Sequence, residues 1–460
     1  MSRLRPWLAA LAFGCMAASC KTLPGVNNLP PPNTHAPTIA TANGKLPPQK
    51  AAQLAERRWA AATAELKPLA LLEEQATGVP LIAGNKVTLL FDGPATMREM
   101  MDAARAAIST INLETYIFDQ DPVGTQFADL LIEKRQQGVL VNVMYDAVGT
   151  LNTPQAFFER MKAAGVNLLA FNPVNPAARK GRWELNNRDH RKLMVVDGKT
   201  AFTGGINISA AYANSSLFRS PRRKPEQANG QEVGWRDTHI KIEGPAVATL
   251  QWAFINNWIH QEAGELPRAD YFPRLANAGD KFVRVLATSP DRDSEIYKSL
   301  LVAINEAKQS IHITSAYFVP DQQTIDALCA AATRGVDVRL VLPGVSDHTL
   351  VFHAGRGFYD QLLAAKVRIY QLQVAVLHAK TAVIDGAWST IGSANIDYRS
   401  FMHNYELNVM VLDPAFGRDM ESAFNEDLRN SQEVTLEAWR KRPLTDRIKE
   451  WAAKLGQYWM

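Results

Sequence analysis

The pattern His-x-Lys-x-x-x-x-Asp occurs twice in this chain, as His190, Lys192, Asp197 and again as His378, Lys380, Asp385. Ten residues after each Asp, a small-residue turn ends in Asn: Gly204-Gly205-Ile206-Asn207 and Gly392-Ser393-Ala394-Asn395. A duplication in register commits the chain to two similarly folded halves. It also collects two imidazoles, two ammonium groups and two amides, which is what phosphodiester chemistry without a metal needs. At average residue usage, one such motif arises by chance in a chain this long in roughly a few per cent of cases. A second copy with a matching Asn removes that explanation.

The repeat extends beyond the motifs. Helical stretches at Met97–Ala107 and Ile296–Ala307 precede short apolar runs at Thr110–Phe118 and Ser310–Val319. Gly138–Tyr145 matches Gly335–Leu342, and helices at Thr153–Ala164 and Gly357–Ala365 lead into the motifs. Past each Asn, Arg236–Pro245 aligns with Tyr405–Pro414, so that Asp237 and Glu406 are equivalent. Alternating strand and helix signals argue for α/β sandwiches.

Leu193–Val196 and Thr381–Ile384 are rich in Val, Leu and Ile and read as strands. Residues i and i+2 of a strand share a face, so His and Lys of each motif point the same way. Asp197 and Asp385 have the opposite parity and stand at the strand's end, where a structural role is expected. Gly198-Lys199 and Gly386-Ala387 suit two-residue type II′ turns. Folding about them pairs 190 with 207 and 378 with 395, each Asn across from its own His.

Residues 1–20 read as an export signal: Arg3 and Arg5, an apolar run too short to span a bilayer, then Met16-Ala17-Ala18-Ser19-Cys20. Small residues before Cys20 resemble the lipobox of bacterial lipoproteins, which would make Cys20 an acylated residue. With Cys20 acylated and Cys15 removed with the signal, Cys329 is the one remaining thiol, which excludes a disulfide framework. The Pro- and Asn-rich stretch 21–49 reads as a tether. The segmentation expected is then 50–262 for the first half, 263–280 for a linker, 281–435 for the second half and 436–460 for an amphipathic segment. In the last, Ile448, Trp451, Ala452 and Leu455 share a helical face suited to a membrane interface or to the protein's own core. With a net charge of +4 and 21% charged residues, bulk charge selects no partner.

These motifs resemble the phospholipase D superfamily, and within it the bacterial cardiolipin synthases. The matching segments are His190-Arg191-Lys192, Thr203–Asn207, Trp235–His239 and Ile242–Pro245 in the first half. In the second they are Arg334–Val338, Leu377–Thr381 and Gly392–Ser400. The resemblance implies two pseudo-symmetric α/β/α sandwiches of the phospholipase D fold sharing one active site at their interface, with no further oligomer required. It implies phosphatidyl transfer through a phosphohistidine, with no cofactor and no metal. His190, Lys192, Asp197, His378, Lys380 and Asp385 would form the catalytic motifs, supported by Asn207 and Asn395. Asp237 and Glu406 would each hold the far ring nitrogen of a histidine. Either histidine can be the nucleophile; the analogy favours His190, with His378 as acid.

Partners would be phospholipids at a membrane surface, with phosphatidylglycerol as acceptor and phosphatidylglycerol or phosphatidylethanolamine as donor. No nucleic acid is expected, since no basic stripe interleaved with aromatics appears. Two histidines in different protonation states call for a bell-shaped pH profile. The competing readings are a hydrolytic phospholipase D or nuclease, and a non-catalytic lipid-binding envelope lipoprotein. A lipid-anchored protein facing the periplasm is expected, with Lys21 after Cys20 favouring the outer membrane. Two features depart from the usual synthase: a lipoprotein-type leader in place of transmembrane helices, and the basic insertion Arg219–Pro225.

Overall fold

The computed structural model describes residues 22–26, 36–60, 62, 65–175, 184, 186–213, 234–261, 264–290 and 294–460. The expected export signal with Cys20 and the basic insertion 219–225 lie outside the described residues.

Seven strands build the sheet of the first half: β1 Leu81–Leu90, β2 Thr110–Thr115, β3 Leu140–Asp146, β4 Asn167–Phe171, β5 Leu193–Val196, β6 Thr200–Gly204 and β7 His239–Glu243. Their spatial order is β1-β7-β6-β5-β2-β3-β4. The second half repeats it with β8 Lys281–Thr288, β9 Ser310–Ser315, β10 Asp337–Pro343, β11 Arg368–Leu372, β12 Lys380–Ile384, β13 Trp388–Gly392 and β14 Asn404–Leu412. There the order is β8-β14-β13-β12-β9-β10-β11. β1 and β8 pair antiparallel, Lys281 opposite Asn85 and Val283 opposite Ile82, which joins the halves edge to edge.

Alternation sorts the core. Ile111, Leu113, Met194 and Val196 point to one face, under helices Gly93–Ala106 and Pro122–Gln136. Leu193, Val195, Ile240 and Ile242 point to the other, under helix Ala246–His260. That second face is continuous with Val283, Val383, Leu407 and Val409 of the other half, so the halves share a core. Asp-Pro pairs start one helix in each half: Asp121 accepts from Gly124 N at 2.8 Å and Asp413 from Phe416 N at 2.8 Å, with Pro at the first helical position of each.

Two expected boundaries are corrected. The tether does not run to 49: Ile39–Thr41 pairs parallel with the start of β1, Ile39 is fully buried, and helix Pro48–Trp59 follows. The first half also does not begin at 50. Helices Pro48–Trp59 and Leu66–Thr77 pack into the second half's core, with Trp59 Nε1 donating to Leu412 O at 3.3 Å. Arg284 of β8 is wholly buried and needs a carboxylate, which Glu73 supplies at 3.2 Å. The segment expected to be tether and first half completes the other half.

Candidate active site

Each motif histidine is placed by a short parallel pairing that crosses between the halves. Arg188-Asp189 pairs with Asn404-Tyr405, and His190 N donates to Tyr405 O at 3.0 Å. The next residue, Glu406, then presents both oxygens 3.1 Å from His190 Nδ1. In the other half Trp235-Arg236 pairs with Val376-Leu377, and His378 N donates to Arg236 O at 2.8 Å. Asp237 follows, with Oδ2 2.7 Å from His378 Nδ1. Each histidine is therefore gripped by a carboxylate from the opposite half. An Nδ1–H given to a carboxylate leaves Nε2 as the nitrogen carrying the lone pair.

Both rings line a single cleft of about 340 Å³, with Tyr116, Tyr317, Trp235, Arg188 and Arg399 among its walls. Lys192 and Lys380 are buried beside the rings. Each donates Nζ to the carbonyl of its own histidine at 2.5 Å, and Lys380 Nζ lies 3.0 Å from His378 Nδ1. All four groups are buried. Burial pulls the His190 imidazole down to about 4, with Lys192 and Lys380 adding to the effect and Glu406 opposing it. His378 falls well below the usual histidine range for the same reason, with both lysines contributing. Burial lowers Lys192 to about 7 and Lys380 to about 8.

The carboxylates differ. Glu406 is held at about 2: burial pushes it up, but the His190 ring, Lys192 and the Ser393 hydroxyl outweigh that. Asp237 is pushed up by burial to about 6, with Lys380 and Thr238 N opposing. Gly205 occupies the position that Ser393 holds in the second repeat. A Cβ there would lie 2.1 Å from Asp237 Oδ1, so no second hydroxyl can reach this carboxylate.

The family model described as "Cardiolipin synthase, PLD-like domain" matches residues 97–217 and 300–428, more than half of the chain. The cardiolipin synthase of Geobacillus kaustophilus is 35% identical over 85% of this chain and 75% of its own length. Cardiolipin synthase 2 of Bacillus anthracis is 34% identical over 78% of this chain and 68% of its own. The chain belongs to the cardiolipin synthase branch of the phospholipase D superfamily. The fold agrees: the phosphatidylserine synthase structure of Haemophilus influenzae Rd KW20 superposes with a TM-score of 0.64 at 14% identity, covering 84% of this chain and 99% of that one.

Within this phospholipase D architecture, the Asp of each motif stands at the far end of its strand. Asp197 accepts from the backbone N–H of Ile108, Ser109 and Thr110, and Asp385 from those of Lys308, Gln309 and Ser310. They pin the start of β2 and β9 and do not line the cleft.

The expected turn is corrected as well. Asp197 and Gly198 both have positive φ, as do Asp385 and Gly386, and the bonds are Lys199 N to Val196 O and Ala387 N to Ile384 O. These are type I′ turns one residue earlier than the Gly-first reading. Pairing resumes at Thr200 opposite Val196 and Trp388 opposite Ile384, so Leu193 faces Thr203 and Thr381 faces Ile391, a register that does not set 190 against 207 or 378 against 395.

The asparagines consequently part ways. Asn207 accepts from Ile117 N at 3.0 Å and donates to Tyr212 OH at 2.7 Å, which commits it to a local tie. Asn395 lines the cleft, and its buried Oδ1 has no partner.

Sequence reasoning missed the walls. Tyr116 and Tyr317 follow the ends of the equivalent strands β2 and β9, one position apart in the repeat, and overlaying the halves would have flagged them. Arg188 stands two residues before the first motif, and Arg399 lies within Gly392–Ser400. Among the described residues, no three His, Cys, Asp or Glu side chains cluster as a metal site.

Proposed function

We propose that this enzyme makes cardiolipin by phosphatidyl transfer, joining two phosphatidyl groups through one glycerol. The observation carrying the reading is the pair of imidazoles lining one cleft, each backed on Nδ1 by a carboxylate. The relatives named as cardiolipin synthases supply the substrate class.

His190 Nε2 attacks the donor phosphorus, forming a P–N bond as the bond to the donor headgroup oxygen breaks. His378 gives that oxygen its proton. The anionic Glu406 stabilises the positive charge that develops on His190, and this favours His190 over His378 as nucleophile. Lys192, Lys380 and Asn395 are donors for the nonbridging oxygens as charge builds. His378, now neutral, takes the proton from a hydroxyl of the acceptor's glycerol headgroup. That oxygen attacks phosphorus, the P–N bond breaks and His190 is restored. Phosphatidylglycerol is the acceptor, and phosphatidylglycerol or phosphatidylethanolamine the donor.

Acylation of Cys20 would hold the enzyme on the envelope, facing the periplasm at the outer membrane. Mass measurement of the mature N-terminal peptide tests that, and an unmodified Cys20 would remove the anchor. Incubation with labelled phosphatidylglycerol tests the reaction. Cardiolipin with stoichiometric free glycerol is expected. Phosphatidic acid alone would instead select hydrolysis, and degraded DNA a nuclease.

A further inference from the structure

Helix Leu444–Lys454 turns its apolar side outward. Glu450 and Ala453 face the body, where Glu450 pairs with Arg356 at 3.0 Å and Arg442 at 2.9 Å. The opposite side carries Leu444, Ile448, Trp451 and, one residue past the helix, Leu455, at the i, i+4, i+7, i+11 spacing of one face. These are 70%, 57%, 66% and 72% exposed. Single exposed apolar residues are ordinary, but an aligned row of them marks an interaction surface.

The row leads to the cleft. Trp459, 55% exposed, and Met460 belong to the cleft wall. Helix Thr349–Arg356 packs on the same helix and carries exposed Leu350 beside Val351, which lines the cleft. Exposed Arg447 and Lys449 flank the apolar row on its two sides, and Arg440 precedes it. Among the described residues no helix is long and apolar enough to cross a membrane, so the contact is with a surface.

We propose that this face seats the protein on an anionic phospholipid bilayer, with the cleft mouth toward the headgroups. The proposal rests on the reading of phospholipids as substrates, and it goes beyond that reading by assigning the surface that reaches them. An amphipathic helix with Trp and Leu on one side and basic flanks binds such interfaces by apolar burial plus attraction to anionic lipid. A second copy docked face to face would set Arg447 and Lys449 against their own counterparts, which disfavours self-association.

The test uses the full chain carrying Cys20→Ala, so that acylation contributes nothing. Flotation is measured with vesicles of phosphatidylglycerol and phosphatidylcholine in equal parts, and with phosphatidylcholine alone. Turnover is measured on vesicles and on monomeric short-chain phosphatidylglycerol. Ile448→Ser/Trp451→Ser/Leu455→Ser should lose roughly a hundredfold or more in vesicle partition. Turnover on vesicles should fall with it, while Tm and turnover of the monomeric lipid stay put. Arg447→Glu/Lys449→Glu should weaken binding to the anionic vesicles only. Undiminished flotation of the triple variant overturns the proposal, and so does a dimer that the triple variant splits. A parent chain that floats but turns over neither lipid supports docking while sinking the proposed reaction.

Discussion

His190 and His378 each present Nδ1 to a carboxylate from the other half, yet Glu406 sits at about 2 and Asp237 at about 6. The backbone around them is duplicated almost strand for strand, and burial raises both carboxyls. At Glu406 the His190 ring first, then Lys192 and Ser393, outweigh it, while at Asp237 Lys380 and Thr238 N–H do not. Ser393 donates to Glu406, and Asn404 Nδ2 adds a second bond at 3.1 Å. The equivalent of Ser393 is Gly205, which leaves Asp237 with the backbone N–H of Thr238. Glu406 therefore stays anionic across the working range, whereas Asp237 takes up a proton as pH falls through about 6. Pseudo-symmetry thus supplies two copies of a grip, and small departures from it supply two different roles.

The largest effects should come from the rings themselves. His190→Ala and His378→Ala should each lower turnover by at least about 10³-fold, because each removes a separate covalent or proton-transfer function. A reaction with labelled phosphatidylglycerol quenched in alkaline detergent, which preserves the acid-labile P–N bond, should leave label on the peptide containing His190. Label on the His378 peptide would invert the assignment.

The pH profile comes next. Turnover needs His190 neutral, so kcat/KM should fall as pH drops through about 4. It also needs the ammonium groups, and Lys192 at about 7 and Lys380 at about 8 lose their protons as pH rises. His378 must also carry the proton that it gives away, and burial weakens its hold on that proton, so His378 and the lysines together set the alkaline limb. Activity that holds level from pH 7 to about 10 would break this attribution.

Glu406→Gln and Asp237→Asn probe the contrast directly. The first removes a fixed anion behind His190 and should cost about 10²–10³ in kcat. The second removes an anion that holds its proton more readily than Glu406 does, and should cost less, about tenfold. Equal losses would mean that the two grips do the same work.

Much of this was legible because it follows from parity and repetition. His and Lys at i and i+2, Asp at the opposite parity, and the order of helices and strands are all set by local rules and by the duplication. What the sequence hid is long-range. Nothing in the periodicity of residues 188–190 says that their partner strand is Asn404-Tyr405, so the exchange of carboxylates between halves appears only in three dimensions. The turn was misplaced because Asp197 takes positive φ, which its carboxylate secures by bonding three backbone N–H groups of the neighbouring strand. Residues 36–49 were read as tether and 50–77 as part of the nearer half because chain order is a poor guide when Glu73 must neutralise Arg284.

The smallest effects separate Asn395 from Asn207. Asn395 lines the cleft, where its Nδ2 can donate to a nonbridging oxygen, so Asn395→Ala should lower kcat by about 10–10²-fold and leave Tm almost unchanged. Asn207 ties Ile117 N to Tyr212 OH, so Asn207→Ala leaves the buried Tyr212 hydroxyl without its partner, at a cost of about 1–3 kcal/mol, and frees the half-buried Ile117 N–H as well. Its signature should be a lower Tm, with turnover of the folded fraction reduced only a few-fold. The position in the repeat is the same for both, and only the hydrogen bonds already made distinguish them. Matching losses of kcat with no change in Tm would show that Asn207 exchanges its local tie for the substrate, restoring the symmetry that the ground-state contacts break.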